Sequence, residues 1–483
     1  MTERLQVRNP RTGQIDYDCA VTAPDLLARM AAEARKAQPA WAALEPAKRA
    51  EHLRELAAAM REERDAFVQA LFEDTGRTVE SRLEFDAALA TIERWADEAP
   101  ALLAEPEPRA ANIPFIESRQ FATPYPLVGV ISPWNFPLLL ALIDAVPALL
   151  AGSAVLVKPS EVTPRFIEVA ERVLARLPGL AGVLRWCVGA GEIGAALIEQ
   201  VDLVCFTGSV GTGRKVGAAA AARFIPAFLE LGGKDAALVL EDADVDRAAR
   251  ALAWGSMVNA GQSCMSIERV YAVDAVHDRL VDALAREIGR LKINVDDPEA
   301  GQIGPVISAA QVGILQTHLE DALARGARAL TGGRLVSHGG TWCLPTLLVD
   351  VTDQMRVMRE ETFGPVLPVM RVADEAEAIE RANASIYGLS AAVFSADGAR
   401  AERVARRLEA GAISINDAAL TSLVHSGEKQ SFKQSGLGGS RMGPSSIRRF
   451  LRQQCLLVNP GLDDPWWFGP DDPAPTRDST EAT

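Results

Sequence analysis

The sequence of 483 residues lacks the features that mark several classes of protein. Its six cysteines lie far apart and form no C-x-x-C pair, which argues against a disulfide framework or a zinc ribbon and favours a cytoplasmic location. Lys and Arg number 50 against 64 Asp and Glu, so the net charge is −14 and nucleic acid is not an expected partner. The first 20 residues contain no apolar stretch, so we expect no signal peptide.

One long apolar segment, Leu127–Val157, raises the question of a membrane span. Asp144 lies in its middle, and Pro133 and Pro137 interrupt it. Both ends of the segment are typical of short buried strands, because strands of a parallel sheet that is covered on both faces are uniformly apolar. The segment is therefore interpreted as strand, helix and strand, and no membrane partner is expected.

The order of predicted elements indicates an α/β fold. Apolar residues at three- and four-residue spacing predict that the first hundred residues are helical. From Leu127 onward, short apolar runs alternate with helical stretches, and a second such series follows Glu230. This alternation predicts two tandem Rossmann-like domains, each built on a parallel sheet. The Pro- and Asp-rich end, 463–483, is predicted to be a mobile tail, except that the aromatic residues Trp466–Phe468 are expected to dock on a neighbouring surface.

Two glycine-rich loops are candidates for holding phosphate. Gly189–Gly194 fits the pattern G-x-G-x-x-G, but the acidic residue expected about twenty positions later is absent. The second loop, Gly208–Gly213, also stands between a predicted strand and a predicted helix. Backbone N–H groups at a helix N-terminus attract phosphate, so either loop could bind a dinucleotide or could simply start a helix.

Cys264 is the strongest candidate for a nucleophile. Gly261 precedes it and small polar residues flank it at a predicted helix-to-strand junction, where a thiol can be exposed. By contrast, Cys187, Cys205 and Cys455 lie in apolar strands and are expected to be buried. The histidines show no recognisable Cys/His signature, so a cysteine-protease interpretation has little support.

Glu230 is the matching candidate for a general base. It stands between Leu229 and Leu231 and is followed by two glycines, a setting that half-buries a carboxylate. A carboxylate of this kind can take a proton from water or a thiol. The alternative is that Glu230 caps a turn or pairs with Lys234.

Six motifs in order resemble the NAD(P)-dependent aldehyde dehydrogenase superfamily over nearly the whole chain, to about Val458. They are Pro133-Trp-Asn-Phe-Pro137, Lys158-Pro-Ser-Glu161, Phe206-Thr-Gly-Ser209, Leu229-Glu-Leu-Gly-Gly-Lys234, Gly261-Gln-Ser-Cys264 and Glu360-Glu-Thr-Phe-Gly-Pro365. The resemblance implies an NAD-binding domain at 1–104 and 127–232, a catalytic domain at 233–445, and a small oligomerisation element at 105–126 and 446–462. It also implies a homodimer or homotetramer, and no bound metal.

The resemblance assigns roles to individual residues. Cys264 corresponds to the nucleophile, Glu230 to the general base and Asn135 to the oxyanion donor. The positions that correspond to cofactor-binding residues are Ile131, Pro133, Trp134, Lys158, Ser160, Glu161, Gly208, Ser209, Leu231, Glu361 and Phe363. This assignment favours the second glycine loop as the pyrophosphate site. Because a carboxylate at Glu161 would accept the ribose 2′-hydroxyl but repel a 2′-phosphate, NAD is favoured over NADP.

The resemblance also implies the reaction, which is oxidation of an aldehyde through a cysteine thioester that water hydrolyses. The expected substrate pocket contains Leu139, Leu140, Ile143, Ser263 and Met265, and the helix after Phe136 carries no Lys or Arg. An apolar aliphatic or aromatic aldehyde is therefore the expected substrate. The loop 416–436 departs from the family, since it lacks the usual glycine pair before Lys433. A CoA-acylating enzyme and a non-catalytic protein on the same fold are the alternatives.

Overall fold

The computed structural model describes residues 3–113, 115–461 and 467. These residues belong to two compact units. The first unit contains Met1–Leu103 and Pro124–Phe450, and the second contains Ala104–Thr123 and Leu451–Thr483. All residues of the candidate site belong to the first unit.

The strands are short and fall in several sheets. In chain order they are β1 (Arg4–Arg8), β2 (Ile15–Ala20), β3 (Arg109–Ala110), β4 (Glu117–Pro124), β5 (Leu127–Ile131), β6 (Ala154–Lys158), β7 (Leu184–Trp186), β8 (Leu203–Thr207), β9 (Ala227–Glu230), β10 (Asp235–Val239), β11 (Ile267–Val273), β12 (Arg328–Thr331), β13 (Leu335–His338), β14 (Gly340–Cys343), β15 (Thr346–Val349), β16 (Val366–Val372), β17 (Ser390–Phe394), β18 (Ala412–Ile415), β19 (Gly436–Leu437) and β20 (Leu451–Val458).

Helices connect and cover these strands. In chain order they are α1 (Pro24–Ala42), α2 (Pro46–Glu62), α3 (Arg64–Thr75), α4 (Thr78–Leu102), α5 (Pro137–Ala151), α6 (Phe166–Leu174), α7 (Pro178–Ala181), α8 (Gly191–Ile198), α9 (Val210–Ala222), α10 (Val245–Met257), α11 (Asp274–Gly289), α12 (Ala309–Ala324), α13 (Arg356–Arg359), α14 (Glu375–Asn383), α15 (Gly398–Ala405) and α16 (Leu420–Leu423). Short 3-10 helices span Val258–Gly261, Lys433–Ser435 and Pro444–Phe450.

One sheet has the strand order β19-β9-β8-β5-β6-β7, in which β19 is antiparallel to its neighbour and the remaining pairs are parallel. Every residue of β5, β6 and β8 is buried, which explains why these strands are apolar apart from Lys158 and Thr207 at the carboxyl ends of β6 and β8. Asp144 in α5 is buried as well, and it forms ion pairs with Arg441 and Arg449. The prediction of strand, helix and strand for the apolar segment is confirmed.

The other large sheet has the strand order β12-β15-β16-β11-β10-β17-β18, with only β12 antiparallel. Alternate residues of β10 pack into two different cores: Ala236 and Leu238 face one, and Ala237 and Val239 face the other. Helices therefore cover both faces of this sheet. The predicted α/β class with two parallel-sheet regions is confirmed.

The expectation that the first hundred residues are helical is wrong at their start. Arg4–Arg8 and Ile15–Ala20 form an antiparallel hairpin before the first helix. The second of these strands, Ile-Asp-Tyr-Asp-Cys-Ala, alternates apolar and polar residues, but it is only six residues long and none of them is buried.

The second unit is a small sheet in the order β20-β4-β3. Thr123 donates a hydrogen bond to Gln454 (2.8 Å) across two of its strands, and Phe115 stacks on Trp467 with ring centroids 6.0 Å apart. Cys455 is exposed on β20, so the expectation that it is buried is wrong. Because β20 is an edge strand of a small sheet, the side chains of its apolar run have no hydrophobic core to pack into. Trp466, Phe468 and the remainder of the tail, 463–465 and 469–483, lie outside the described residues.

The described residues contain neither a membrane-spanning helix nor a metal-binding cluster. No helix there has both the length and the apolar composition that crossing a membrane requires. No group of three or more His, Cys, Asp or Glu side chains there could hold a metal ion.

Candidate active site

Cys264 lies in a tightly folded segment, 259–265, which begins within the 3-10 helix Val258–Gly261 and ends just before β11; we call it the Cys264 loop. Three consecutive residues have left-handed backbone conformations: Asn259 (φ 56°), Ala260 (φ 52°) and Gly261 (φ 66°). A β-carbon at Gly261 would come within 2.2 Å of the Gly364 carbonyl oxygen, so only glycine fits there. Left-handed conformations at non-glycine residues are costly and persist only where the surroundings impose them.

The side chain of Gln262 is part of what holds this loop in place. Its amide nitrogen donates to the carbonyl oxygens of Asn259 and Pro305, each at 3.2 Å, and its amide oxygen accepts from the Ile307 N–H at 2.9 Å. Gln262 is buried, so these bonds also satisfy polar groups that have no access to water.

A buried ion pair from the N-terminal helices reaches the same loop. Arg77 donates to Glu84 (2.8 Å), with the two side chains 3% and 0% exposed, and also donates to the side-chain oxygen of Asn259. Glu84 accepts from the N–H groups of Leu138 (2.9 Å) and Leu139 (3.2 Å) and so caps the start of α5. Glu84, together with its partner Arg77, therefore connects α4, α5 and the Cys264 loop. Burial raises the pKa of the Glu84 carboxyl group to about 7.

Asn135 follows β5 and is buried beside the Cys264 loop. Its side-chain nitrogen donates to the Gln262 carbonyl oxygen (3.0 Å), and its own carbonyl oxygen accepts from the Asn259 side chain (3.3 Å). An asparagine amide carries two N–H donors, so the bond to Gln262 leaves a second donor. The arrangement brings Asn135 to the turn that bears Cys264, as the sequence predicts.

Glu230 ends β9 and is held from two sides. Its backbone pairs with Thr207 on β8 and with Gly436 on β19, and its carboxylate accepts a hydrogen bond from Ser431 (3.2 Å). The predicted alternative, a pair with Lys234, is wrong. Lys234 instead forms a buried ion pair with Glu268 (2.6 Å).

Several charged groups act on the Cys264 thiol, and Glu230 is one of them. Burial raises the pKa of Cys264 to about 12, and the carboxylates of Glu230, Glu361 and Asp235 add to the rise. The ammonium of Lys429 acts in the opposite direction. Burial disfavours the charged thiolate, so a neighbouring cation has a large influence on how much thiolate exists at neutral pH.

A cleft suited to a dinucleotide opens at the carboxyl ends of β8 and β9. Gly208 and Ser209 precede α9, and the Ser209 hydroxyl accepts from the Thr212 N–H (3.3 Å) as the cap of that helix. A cavity of about 630 Å³ adjoins this helix start and is lined by residues that include Ser209, Val210, Gly211, His318, Glu361 and Tyr387. A β-carbon on Gly211 would meet no atom within 4 Å, so a phosphate can approach the backbone closely.

The predicted adenosine side of the cleft is also assembled. Ile131 and Lys158 end neighbouring strands and pair with each other, and Lys158 donates to the Glu161 carboxylate (3.3 Å). Ser160 is buried and accepts from the backbone N–H two residues on. Gly194 of the first glycine loop lies against Ile131 and Lys158, since its β-carbon would stand 3.7 Å from each side chain. The first glycine loop therefore lies beside the residues predicted to bind adenosine.

The remaining predicted coenzyme residues include Trp134, Glu361 and Phe363. The rings of Trp134 and Phe363 meet edge to face with centroids 5.3 Å apart, and Pro133 is half-buried beside them in sequence. Glu361 accepts from the Gly233 N–H (3.1 Å), and burial raises its pKa to about 8. Leu231 is buried against α9, where a β-carbon at Gly213 would meet it at 2.4 Å. The hydrogen-bonding groups of these residues and the open space beside them fit a nicotinamide coenzyme.

The family comparison identifies the class of protein to which this site belongs. The model of the aldehyde dehydrogenase family matches residues 1–456. The chain belongs to the aldehyde dehydrogenase family. It is an NAD(P)-dependent aldehyde dehydrogenase, an enzyme that oxidises aldehydes to carboxylic acids.

Two curated relatives have high sequence similarity to this aldehyde dehydrogenase. The 4,4′-diapolycopene aldehyde oxidase of a Methylomonas species is 39% identical over 471 residues, which cover 95% of this chain and 87% of the relative. The geranial dehydrogenase of Castellaniella defragrans is 36% identical over 464 residues, which cover 95% of this chain and 94% of the relative.

Solved structures of aldehyde dehydrogenases have the same fold. The enzyme PutA from Anabaena variabilis superposes with a TM-score of 0.95 at 49% identity, covering 97% of this chain and all of that chain. Betaine aldehyde dehydrogenase from Staphylococcus aureus, solved in complex with NAD+, superposes with a TM-score of 0.90 at 30% identity, covering 96% of this chain and 93% of that chain.

The residues predicted for the aldehyde pocket of this dehydrogenase differ in exposure. Leu139 and Leu140, in the first turn of α5, are half-buried, as are Ser263 and Met265 on either side of Cys264. Ile143 is only 5% exposed and packs mostly inside the protein.

Sequence analysis missed two polar groups of this site. One is the buried pair of Lys234 and Glu268. Glu268 also accepts hydrogen bonds from the N–H groups of Thr362 and Phe363 (2.7 Å each). These bonds fix the loop that contains Glu361. The other is Lys429, whose contact with Met265 joins positions 164 residues apart.

Proposed function

We propose that Cys264, Glu230 and Asn135 carry out a hydrolytic oxidation in which the acyl group passes through a thioester on Cys264. The observation that carries this proposal is their convergence. The side-chain nitrogen of Asn135 bonds to Gln262 (3.0 Å), two residues before Cys264, and the Glu230 carboxylate acts electrostatically on the Cys264 thiol. Nucleophile, base and donor on three separate segments form the combination that acyl chemistry requires.

In the first step the Cys264 thiolate attacks the aldehyde carbon, so that a carbon–sulfur bond forms and the carbonyl oxygen becomes an oxyanion. The free N–H of Asn135 and the backbone N–H of Cys264 donate to this oxyanion. One such donor contributes on the order of 3 kcal/mol to the transition state. When bound, the nicotinamide coenzyme accepts the hydride and so supplies the redox chemistry.

The acyl group then remains on Cys264 as a thioester. Glu230 takes a proton from a water molecule, and the resulting hydroxide attacks the thioester carbon. The carbon–sulfur bond breaks, the carboxylic acid leaves and the Cys264 thiolate is restored. The hydrogen bond from Ser431 holds the Glu230 carboxylate in one orientation for this step.

The substitution Glu230→Gln tests the mechanism. We expect the variant to retain a rapid burst of NADH of about one equivalent per site but to lose at least about a hundredfold in steady-state turnover, because a general base contributes that much. Stopped-flow absorbance measures both quantities. Loss of the burst together with turnover would contradict the role of Glu230 in thioester hydrolysis.

Apolar aldehydes are the proposed substrates. Leu139 and Leu140 are half-buried at the start of α5, and the two curated relatives described above are named for 4,4′-diapolycopene aldehyde and geranial, which are both apolar. A panel of hexanal, benzaldehyde, geranial and succinate semialdehyde tests this proposal. A kcat/KM for succinate semialdehyde more than about tenfold above the apolar aldehydes would contradict it.

NAD is the proposed coenzyme. The Glu161 carboxylate is 3.3 Å from Lys158, so a positive charge at the proposed adenosine ribose is already paired with a negative one. A 2′-phosphate would meet that carboxylate. A lower KM for NADP than for NAD would contradict the preference.

The proposed organisation assigns 1–104 and 127–232 to coenzyme binding, 233–445 to catalysis, and 105–126 with 446–462 to assembly of a homodimer or homotetramer in the cytoplasm. The strand β20 supports the assembly role, because it is mostly exposed and lies at the edge of its sheet, where a second chain can pair with it. Light scattering of the purified enzyme measures the assembly, and a monomer would contradict it.

A further inference from the structure

Lys429 is a buried lysine beside the nucleophile for which the mechanism above has no role. Its side chain belongs to the loop 416–436 and the residue is only 9% exposed. Its Nζ donates to the thioether sulfur of Met265 (3.3 Å), the residue directly after Cys264. Its own backbone N–H donates to Ser440 (2.9 Å), which fixes the position of the chain at this point.

The acceptor of this ammonium is weak. A thioether is a poor hydrogen-bond acceptor, and an ammonium has three donors. Within the described part of the chain, no carboxylate oxygen lies within 4.0 Å of the Lys429 Nζ as an ion-pair partner. A buried charge with incomplete pairing is expensive, so its retention indicates that another negative group completes its surroundings.

The groups that face Lys429 identify that negative group. Glu230, Cys264 and Asp235 favour the charged form of Lys429, whereas burial and Arg441 lower its pKa. Ser431, two residues along the same loop, bonds to Glu230, so one short segment contacts both the base and the neighbour of the nucleophile. Three carboxylates (those of Glu230, Glu361 and Asp235) oppose the Cys264 thiolate, and Lys429 favours it.

We propose that Lys429 is a positioning residue that holds a positive charge beside Cys264 and thereby favours the thiolate form of the nucleophile. The thiol proton leaves to water, and the ammonium keeps its own three protons. The inference rests on the proposed role of Cys264 as the nucleophile. It gives the departure of loop 416–436 from the family pattern a chemical role.

The pH dependence of Cys264 alkylation tests this proposal without aldehyde or coenzyme. The purified enzyme reacts briefly with iodoacetamide across a range of pH, and mass spectrometry follows the tryptic peptide 251–269, whose only cysteine is Cys264. Only the thiolate reacts, so the midpoint of the rate profile reports the ionisation of Cys264.

In Lys429→Met we expect the midpoint to rise by at least about one pH unit, which slows alkylation near neutral pH by about tenfold. Lys429→Arg keeps the charge and should retain the wild-type rate within about threefold. Lys433→Met is the matched control, because the Lys433 ammonium bonds to the Asn383 carbonyl oxygen (2.6 Å) and to Glu409 (2.5 Å), and its profile should not move.

A wild-type profile in a Lys429→Met enzyme with unchanged melting temperature would overturn the proposal, and so would an equal shift in Lys433→Met. If Lys429→Met does not fold, Lys429→Gln takes its place with the same two outcomes. Aldehyde oxidation that survives Cys264→Ser would refute the nucleophile itself. The two failures are therefore distinguishable, since one is read from alkylation and the other from turnover.

Discussion

Two loops meet at the active site, and the protein holds them very differently. The Cys264 loop is fixed by buried side chains, with Asn259 and Gln262 each hydrogen-bonded to several partners. The loop 416–436 is more open, since Leu423 is 61% and Val424 is 50% exposed. The comparison indicates that the backbone around Cys264 is positioned by many buried hydrogen bonds, whereas the more open loop contacts the candidate site through the individual side chains of Lys429 and Ser431.

The largest expected effect lies behind the Cys264 loop, in the buried pair of Arg77 and Glu84. Arg77→Met leaves the Glu84 carboxylate buried without its partner, which should lower the free energy of unfolding by about 3–5 kcal/mol. Denaturant unfolding measures the loss. Arg82→Met, which breaks an exposed pair with Glu299, should lose less than about 1 kcal/mol. Equal losses in the two variants would contradict the firm attachment of the loop.

A smaller effect is expected at the donor that the same loop holds. Asn135→Ala removes a proposed oxyanion donor and should lower kcat on the order of a hundredfold with little change in KM. Steady-state kinetics measure both constants. Asn383→Ala is the matched control, because the Asn383 side chain bonds to the Arg407 carbonyl oxygen and the Glu409 N–H, outside the proposed catalytic residues. A change confined to KM would contradict the assigned role.

The smallest effect is expected in the open loop. Ser431→Ala removes one hydrogen bond to Glu230 (3.2 Å) and should slow turnover by about fivefold, since a bond of this kind contributes about 1 kcal/mol. The NADH burst should be unchanged, because the Glu230 carboxylate acts after hydride transfer in the proposed mechanism. Ser422→Ala in the same loop, where the hydroxyl bonds to the Ala419 carbonyl oxygen, is the control. A loss as large as that of Asn135→Ala would show that the open loop places reacting atoms after all.

The sequence predicted those features of the fold and of the candidate site that follow from short local patterns of residues. The apolar runs in β5 and β6 predicted a buried parallel sheet. Short motifs identified the segments that contain Cys264, Glu230 and Asn135. The hairpin β1–β2 was missed although both strands alternate apolar and polar residues, because strands of five and six residues give only a brief alternation.

Polar contacts between distant segments could not be predicted in the same way. Lys429 and Met265 are 164 positions apart, and nothing near Lys429 in the sequence indicates that its side chain meets a thioether. The same is true of Lys234 and Thr362, which are 128 positions apart. Such pairs depend on how sheets and loops stack, which a pattern of apolar residues leaves open.

The bond between Arg77 and Asn259 joins positions 182 residues apart, and this has a consequence for biosynthesis. The ribosome must release more than half of the chain before the arginine can reach its amide partner. The helices that are synthesised first therefore keep the charged pair of Arg77 and Glu84 exposed to water until the later sheet has formed. Catalytic competence should appear only at that late closure, after most of the backbone has already folded.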